Sequence, residues 1–103
     1  MEFVYITFPN QKAAEALGKK LVQQKLCACV NIIPKMTSIY RWKGKVEKGS
    51  EVILLAKTQK KLLKKLTSFV LKNHSYDVPC VLHWSAKSGN KDYSDWIQQE
   101  TKT

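Results

Sequence analysis

The chain has 103 residues, 44% of them hydrophobic, with only four Gly and three Pro, which supports one folded domain over residues 1–103 around one core. No stretch is long and apolar enough to cross a bilayer as a helix, so a membrane partner is not expected. The net charge of +10 invites a nucleic-acid partner, but seventeen of the eighteen basic residues are Lys and Arg41 stands alone. The guanidinium fork that reads base edges and clamps phosphate is therefore nearly absent, and nucleic acid is not the expected ligand.

Phe3 to Phe8 is apolar on both sides and predicts a first strand. It starts so close to Met1 that a leader with a charged segment, an apolar run and a cleavage site is not expected. Three cysteines without a Cys-x-x-Cys pair argue against a disulfide framework, and the cytoplasm is the expected compartment. Pro9-Asn10 then breaks the strand, with Asn10 as N-cap of a helix reaching to about Lys25. Ala14, Leu17, Leu21 and Val22 recur at helical spacing, and Gly18 one turn after Ala14 permits close approach to a sheet.

Ala28 to Ile33 predicts a second strand that continues past Pro34, a residue suited to an edge or a bulge. From Thr37 the alternation is strict: Ser38, Tyr40 and Trp42 fall on one side, Thr37, Ile39 and Arg41 on the other, and Lys43-Gly44-Lys45 supplies a turn. The return strand runs through Val52-Ile53-Leu54-Leu55-Ala56, which is apolar on both faces and asks to be covered on both. Thr58 is expected to cap the next helix, whose buried stripe is Leu62, Leu66, Phe69 and Val70. Asn73 to Asp77 has turn chemistry, Val78 to Trp84 reads as the last strand, and Ser85 to Asn90 as a polar loop. Tyr93, Trp96 and Ile97 mark a short C-terminal helix.

The order β-α-β-β-α-β-α gives an α+β fold of ferredoxin-like type: a four-stranded antiparallel sheet, two helices on one face, and a long hairpin between the second and third strands. Right-handed crossovers leave the other face bare. A bare apolar face invites aggregation, so an obligate oligomer packed sheet against sheet is expected.

Three stretches carry a further signal: Ala28 to Pro34; Ser38 to Glu47 with Glu51 and Leu54 to Thr58; and His74-Ser75-Tyr76-Asp77-Val78-Pro79. In these the chain resembles the CutA family, small cytoplasmic proteins associated with tolerance to divalent cations. The resemblance implies a homotrimer whose hairpins reach neighbouring subunits, similar to PII signalling proteins. It implies a response to divalent metal ions such as copper. The sequence shows no Gly-rich phosphate loop, no Ser/His/Asp order suggestive of a hydrolase and no His-x-x-x-His pair, so neither a catalytic reaction nor a required cofactor is expected. Where the family usually reads His-Pro-Tyr-Glu and then Pro-Glu, this chain has Ser75, Asp77 and Cys80, and Asn73 stands where some relatives place a second histidine. A copper set carried over from such relatives is incomplete.

The candidate metal ligands for Cu or Zn are His74, Cys29 and Asp77. Neutral imidazole suits Cu and Zn, with a nearby carboxylate to fix its tautomer, while the rival role for His74 is to hold the helix end through hydrogen bonds. Cys27 and Cys29, two apart, would share one side of a regular strand, whereas Cys80 and His83, three apart, would not. Tyr40, Trp42, Glu47, Glu51, Lys57 and Tyr76 are the candidates for an inter-subunit cleft. Lys57-Thr58 ahead of Lys60 and Lys61 also resembles an anion site at a helix start. Against divalent-cation binding stands a ligand-sensing scaffold of PII-like architecture with a small-molecule pocket at the subunit seams.

Overall fold

The computed structural model of the chain describes residues 1–102. Strands β1 (Glu2–Phe8), β2 (Cys29–Trp42), β3 (Lys45–Thr58) and β4 (Val81–Ser85) form one sheet in the order β2-β3-β1-β4, every neighbouring pair antiparallel. Helices α1 (Gln11–Gln23) and α2 (Leu63–Asn73) follow β1 and β3, and α3 (Lys91–Glu100) ends the chain. This is the expected ferredoxin-like α+β arrangement.

Asn10 caps α1 as its residue type suggests, its side-chain oxygen accepting from Ala13 N at 2.8 Å. The helix stops at Gln23, two residues before the expected end, and Lys25 takes a positive φ of 58° that closes the turn. Ala14, Leu17 and Leu21 are buried, and Gly18 lies so close to the sheet that a Cβ there would stand 3.0 Å from Val30 Cγ2. The helices cover Val4 and Ile6 of β1 and Val52, Leu54 and Ala56 of β3, joined by Leu66 and Val70 of α2. At about 25 cal/mol per Å² of apolar surface, each fully buried Leu or Ile here contributes about 2 kcal/mol.

Three boundaries differ from the sequence expectation. Thr58 does not cap a helix: it is the last residue of β3, and its hydroxyl donates to Leu26 O at 2.7 Å. A 3-10 turn, Lys60–Leu62, leads into α2 instead, with no side-chain cap on either. The final strand covers Val81–Ser85, so Val78 to Cys80 remain outside it. The hairpin turn itself takes two residues, Lys43 (φ 50°) and Gly44 (φ 81°), between the pair Trp42 and Lys45. Two consecutive positive φ values match the right-handed twist of the strands.

Pro34 sits where expected, on an edge strand at an irregularity between Ile33 and Met36, beside Lys35 at φ 61°. Alternation and register then define the uncovered face. Across it run Cys29, Lys57, Phe3 and Trp84 in one row, Asn31, Leu55, Tyr5 and Leu82 in the next, and Ile33, Ile53 and Thr7 in the third. The bare face is thus built from Phe3, Tyr5, Ile53 and Leu55, while Val4, Ile6, Val30 and Ile32 point to the helices. Trp84 is 45% and Leu82 58% exposed. Helix α3 folds over one end only: Lys57 Nζ donates to Tyr93 Oη at 3.2 Å and lies 6.0 Å from the Phe3 ring centroid.

Candidate functional site

A cleft of about 540 Å³ opens at the root of the hairpin, between β3 and the turn that follows α2. Its hairpin wall comes from one side of the ladder. The pairs Met36–Glu51, Ser38–Gly49 and Tyr40–Glu47 place Tyr40, Trp42, Gly49 and Glu51 on the face that β3 continues as Ile53 and Leu55. The opposite wall is Ser75, Tyr76, Asp77 and Val78, with Thr7, Pro9 and Cys80 between the two. The Tyr76 hydroxyl donates to Glu51 Oε2 at 2.7 Å and ties the walls together.

The electrostatics centre on Glu51. Burial pushes the Tyr76 phenol well up, and the hydroxyl bond to Glu51 and its negative charge push it further, so Tyr76 stays a neutral donor. Burial also raises the Cys80 thiol, Glu51 adds to the effect, and a hydrogen bond with Thr7 offsets part of it. Tyr5, whose hydroxyl donates to Met36 Sδ at 3.5 Å, is raised by burial first and then by Cys80 and Glu51. The thiol of the metal-free cleft is therefore held toward S–H, which disfavours a nucleophilic role.

His74 stands behind the Tyr76 wall as the C-cap of α2. Its Nδ1 accepts from Tyr76 N at 3.0 Å, which leaves the proton on Nε2 to donate to Thr7 O at 2.7 Å. The ring stacks on Phe8 with centroids 4.6 Å apart. Both nitrogens are spent inside the chain, and the bonds go to β1 and the turn rather than to the last helix carbonyls.

Residues 2–100 match the family model described as CutA1 divalent ion tolerance protein. The chain belongs to the CutA family. It is 43% identical over 99 residues to Protein CutA of Homo sapiens, covering 96% of this chain and 55% of that one. It is 42% identical over 100 residues to the divalent-cation tolerance protein CutA of Thermus thermophilus, covering 97% of each. The crystal structure of CutA1 from Oryza sativa superposes with a TM-score of 0.95 at 42% identity, covering 98% of this chain and 93% of that one. The chain spans a little over half the length of the mammalian and plant CutA relatives.

The structure gathers some of the candidates and separates others. Tyr40, Trp42, Glu51, Tyr76 and Asp77 line the cleft; Glu47 pairs with Tyr40 nearer the tip, and Lys57 lies six residues along β3, about 20 Å away. Lys57 is a strand residue, so the anion site at a helix start does not form. Cys29 pairs with Lys57 at that far end, while Thr7, the partner of His74, pairs with Ile53, about 13 Å along the strand. Cys27 is buried in the helix-side core, not beside Cys29 on the open face. Among the described residues no three His, Cys, Asp or Glu side chains converge, so one CutA protomer offers no complete shell for Cu²⁺ or Zn²⁺. The lining residues the motifs missed are Thr7, Pro9, Gly49 and Ser50, while Cys80 stood only as the departure from the family's Pro-Glu. Alternation already put Thr7 beside Tyr5 and Gly49 beside Glu51, but their convergence needed the β1–β3 register.

Proposed function

We propose that this chain acts in divalent-cation tolerance as a cytoplasmic homotrimer, with the uncovered sheet faces packed together and the hairpin clefts at the seams. The observation that carries this reading is the row of Leu55, Tyr5 and Leu82, flanked by Ile53, Phe3 and Trp84, on a sheet face that the chain leaves uncovered except at the α3 end. The number three rests on the family resemblance. Free Cys27, Cys29 and Cys80 support a reducing compartment. The reading includes no catalytic step, in keeping with a sequence that carries no Gly-rich phosphate loop and no His-x-x-x-His pair.

Within it, Cu²⁺ or Zn²⁺ is the proposed cation, with His74, Cys29 and Asp77 the candidate donors, His74 having to give up its bond with Tyr76 N or Thr7 O to coordinate. Because one protomer does not assemble them, contact would be weak or completed across the seam. Calorimetry with Cu²⁺ and Zn²⁺ tests this: uptake that falls in His74→Ala, Cys29→Ser or Asp77→Asn supports it, and unchanged uptake in all three removes these donors. Sedimentation equilibrium tests the assembly, which a folded single copy at micromolar concentration overturns.

The cleft favours a second reading, a PII-like ligand-sensing scaffold. Its aromatic walls and volume of about 540 Å³ suit a small organic molecule better than a bare ion.

A further inference from the structure

We infer that the hairpin cleft is a binding site for an organic ammonium ion, held between the faces of Tyr40 and Trp42 and the carboxylates of Glu51 and Asp77. The inference rests on the reading of the cleft as a ligand pocket and names what it takes.

Charge placement is the first argument. The chain carries eighteen basic residues against eight acidic ones, yet among the described residues none of the Lys, Arg or His side chains lines the cleft, and its two formal charges are both negative. A site of reversed sign in a strongly basic protein repels anions and concentrates cations. The lining chemistry then selects the kind of cation. Aromatic rings present a negative face that attracts ammonium groups within about 6 Å, and quaternary or alkylated ammonium ions gain most because they are weakly hydrated. Trp42 already draws the Lys43 ammonium to 5.9 Å from its ring centroid.

A metal ion fits the same walls less well. It needs several lone-pair donors close around one point, whereas among the described residues no three His, Cys, Asp or Glu side chains converge. The cleft is also far larger than a dehydrated ion. Gly49 shares the ladder face with Tyr40 and Glu51 and lines the cleft, and a Cβ built there meets no atom within 4 Å.

The test uses the full chain with choline and its uncharged isostere 3,3-dimethylbutan-1-ol, read by calorimetry and tryptophan fluorescence. Choline is expected to bind saturably, about tenfold tighter than the isostere, and Trp42→Leu or Glu51→Gln is expected to weaken it by about tenfold. Gly49→Val adds bulk to the lining at a position where a Cβ meets no atom within 4 Å, and is expected to weaken choline binding. Equal binding of the isostere, or no saturable choline signal at tens of millimolar, overturns the inference. Sedimentation of the same samples separates the two readings: choline binding by a single copy removes the trimer and keeps the ammonium site, and a trimer that ignores choline does the reverse.

Discussion

Tyr76 Oη lies 2.7 Å from Glu51 Oε2, and that one bond joins the turn after α2 to the root of the hairpin. The phenol is held neutral by burial and by the carboxylate itself, so the bond persists throughout the neutral pH range. Hydrogen bonds to charged groups are the stronger kind, and the pair is partly buried; Tyr76→Phe is expected to cost about 1–2 kcal/mol in urea unfolding. An unchanged midpoint would mean that the walls are held by packing alone.

Gly18 makes an opposing pair of effects measurable. Alanine gains about 1 kcal/mol of helix propensity over glycine, but its Cβ would sit 3.0 Å from Val30 Cγ2 and 3.3 Å from Leu54 Cδ1. Overpacking costs about 1–3 kcal/mol, so Gly18→Ala should be net destabilising by about 1 kcal/mol. Adding Val30→Ala should recover part of that loss by opening the contact. Two additive losses would place the cost elsewhere than in this contact.

Local chemistry made the framework legible and left its closures hidden. Asn10, Gly18, Pro34 and the Lys43-Gly44 turn act through their own backbone preferences, which a sequence displays directly. Thr58 imitates a cap by its type and position, while its hydroxyl partner, Leu26 O, lies 32 residues away. The cleft divides along the same line. Tyr40, Trp42 and Glu51 belong to one hairpin, whereas Thr7 joins them only through strand pairing and Cys80 through the segment just before β4, and Lys57 shares their face at a distance that alternation cannot express. The doubly apolar β3 did disclose that one face of the sheet lacks a full cover.

Cys27 gives the fold a pH dependence of known sign. Burial, with the charge of Cys29 two residues on adding, pushes its pKa from 9.0 to about 12 against a partial offset from a backbone hydrogen bond of Cys29. The folded state holds the proton more tightly than the unfolded one, so this contribution is complete below pH 9 and is lost as pH rises toward about 12. Cys27→Ala should flatten the decline in stability over that window. In native protein at pH 8, thiol labelling should leave Cys27 unmodified until the chain unfolds, and rapid labelling would contradict the burial.

His74 is expected to act as a structural brace whether or not a metal is present. His74→Ala removes the donor to Thr7 O, the acceptor for Tyr76 N and the stack on Phe8. Together these predict a loss of about 2–3 kcal/mol measured in the presence of a chelator. A residue retained only as a metal ligand would leave the chelated protein's stability unchanged, and that outcome would reverse the assignment.

Leu55 sits between Asn31 and Tyr5 in the middle row of the uncovered face, with Leu82 beyond Tyr5. Its side chain points away from both long helices, so a charge there adds nothing unsatisfied to the core of a single copy. In a sheet-to-sheet assembly the same charge would be buried without a partner, at a cost of several kcal/mol for each copy. Leu55→Lys is therefore expected to shift sedimentation from the assembled to the single-copy mass while far-ultraviolet circular dichroism stays near wild type. Lys64→Glu, on the exposed side of α2, changes charge by a larger step and should leave the mass unaltered. If Leu55→Lys assembled as wild type does, the uncovered face would not be the surface on which the copies meet.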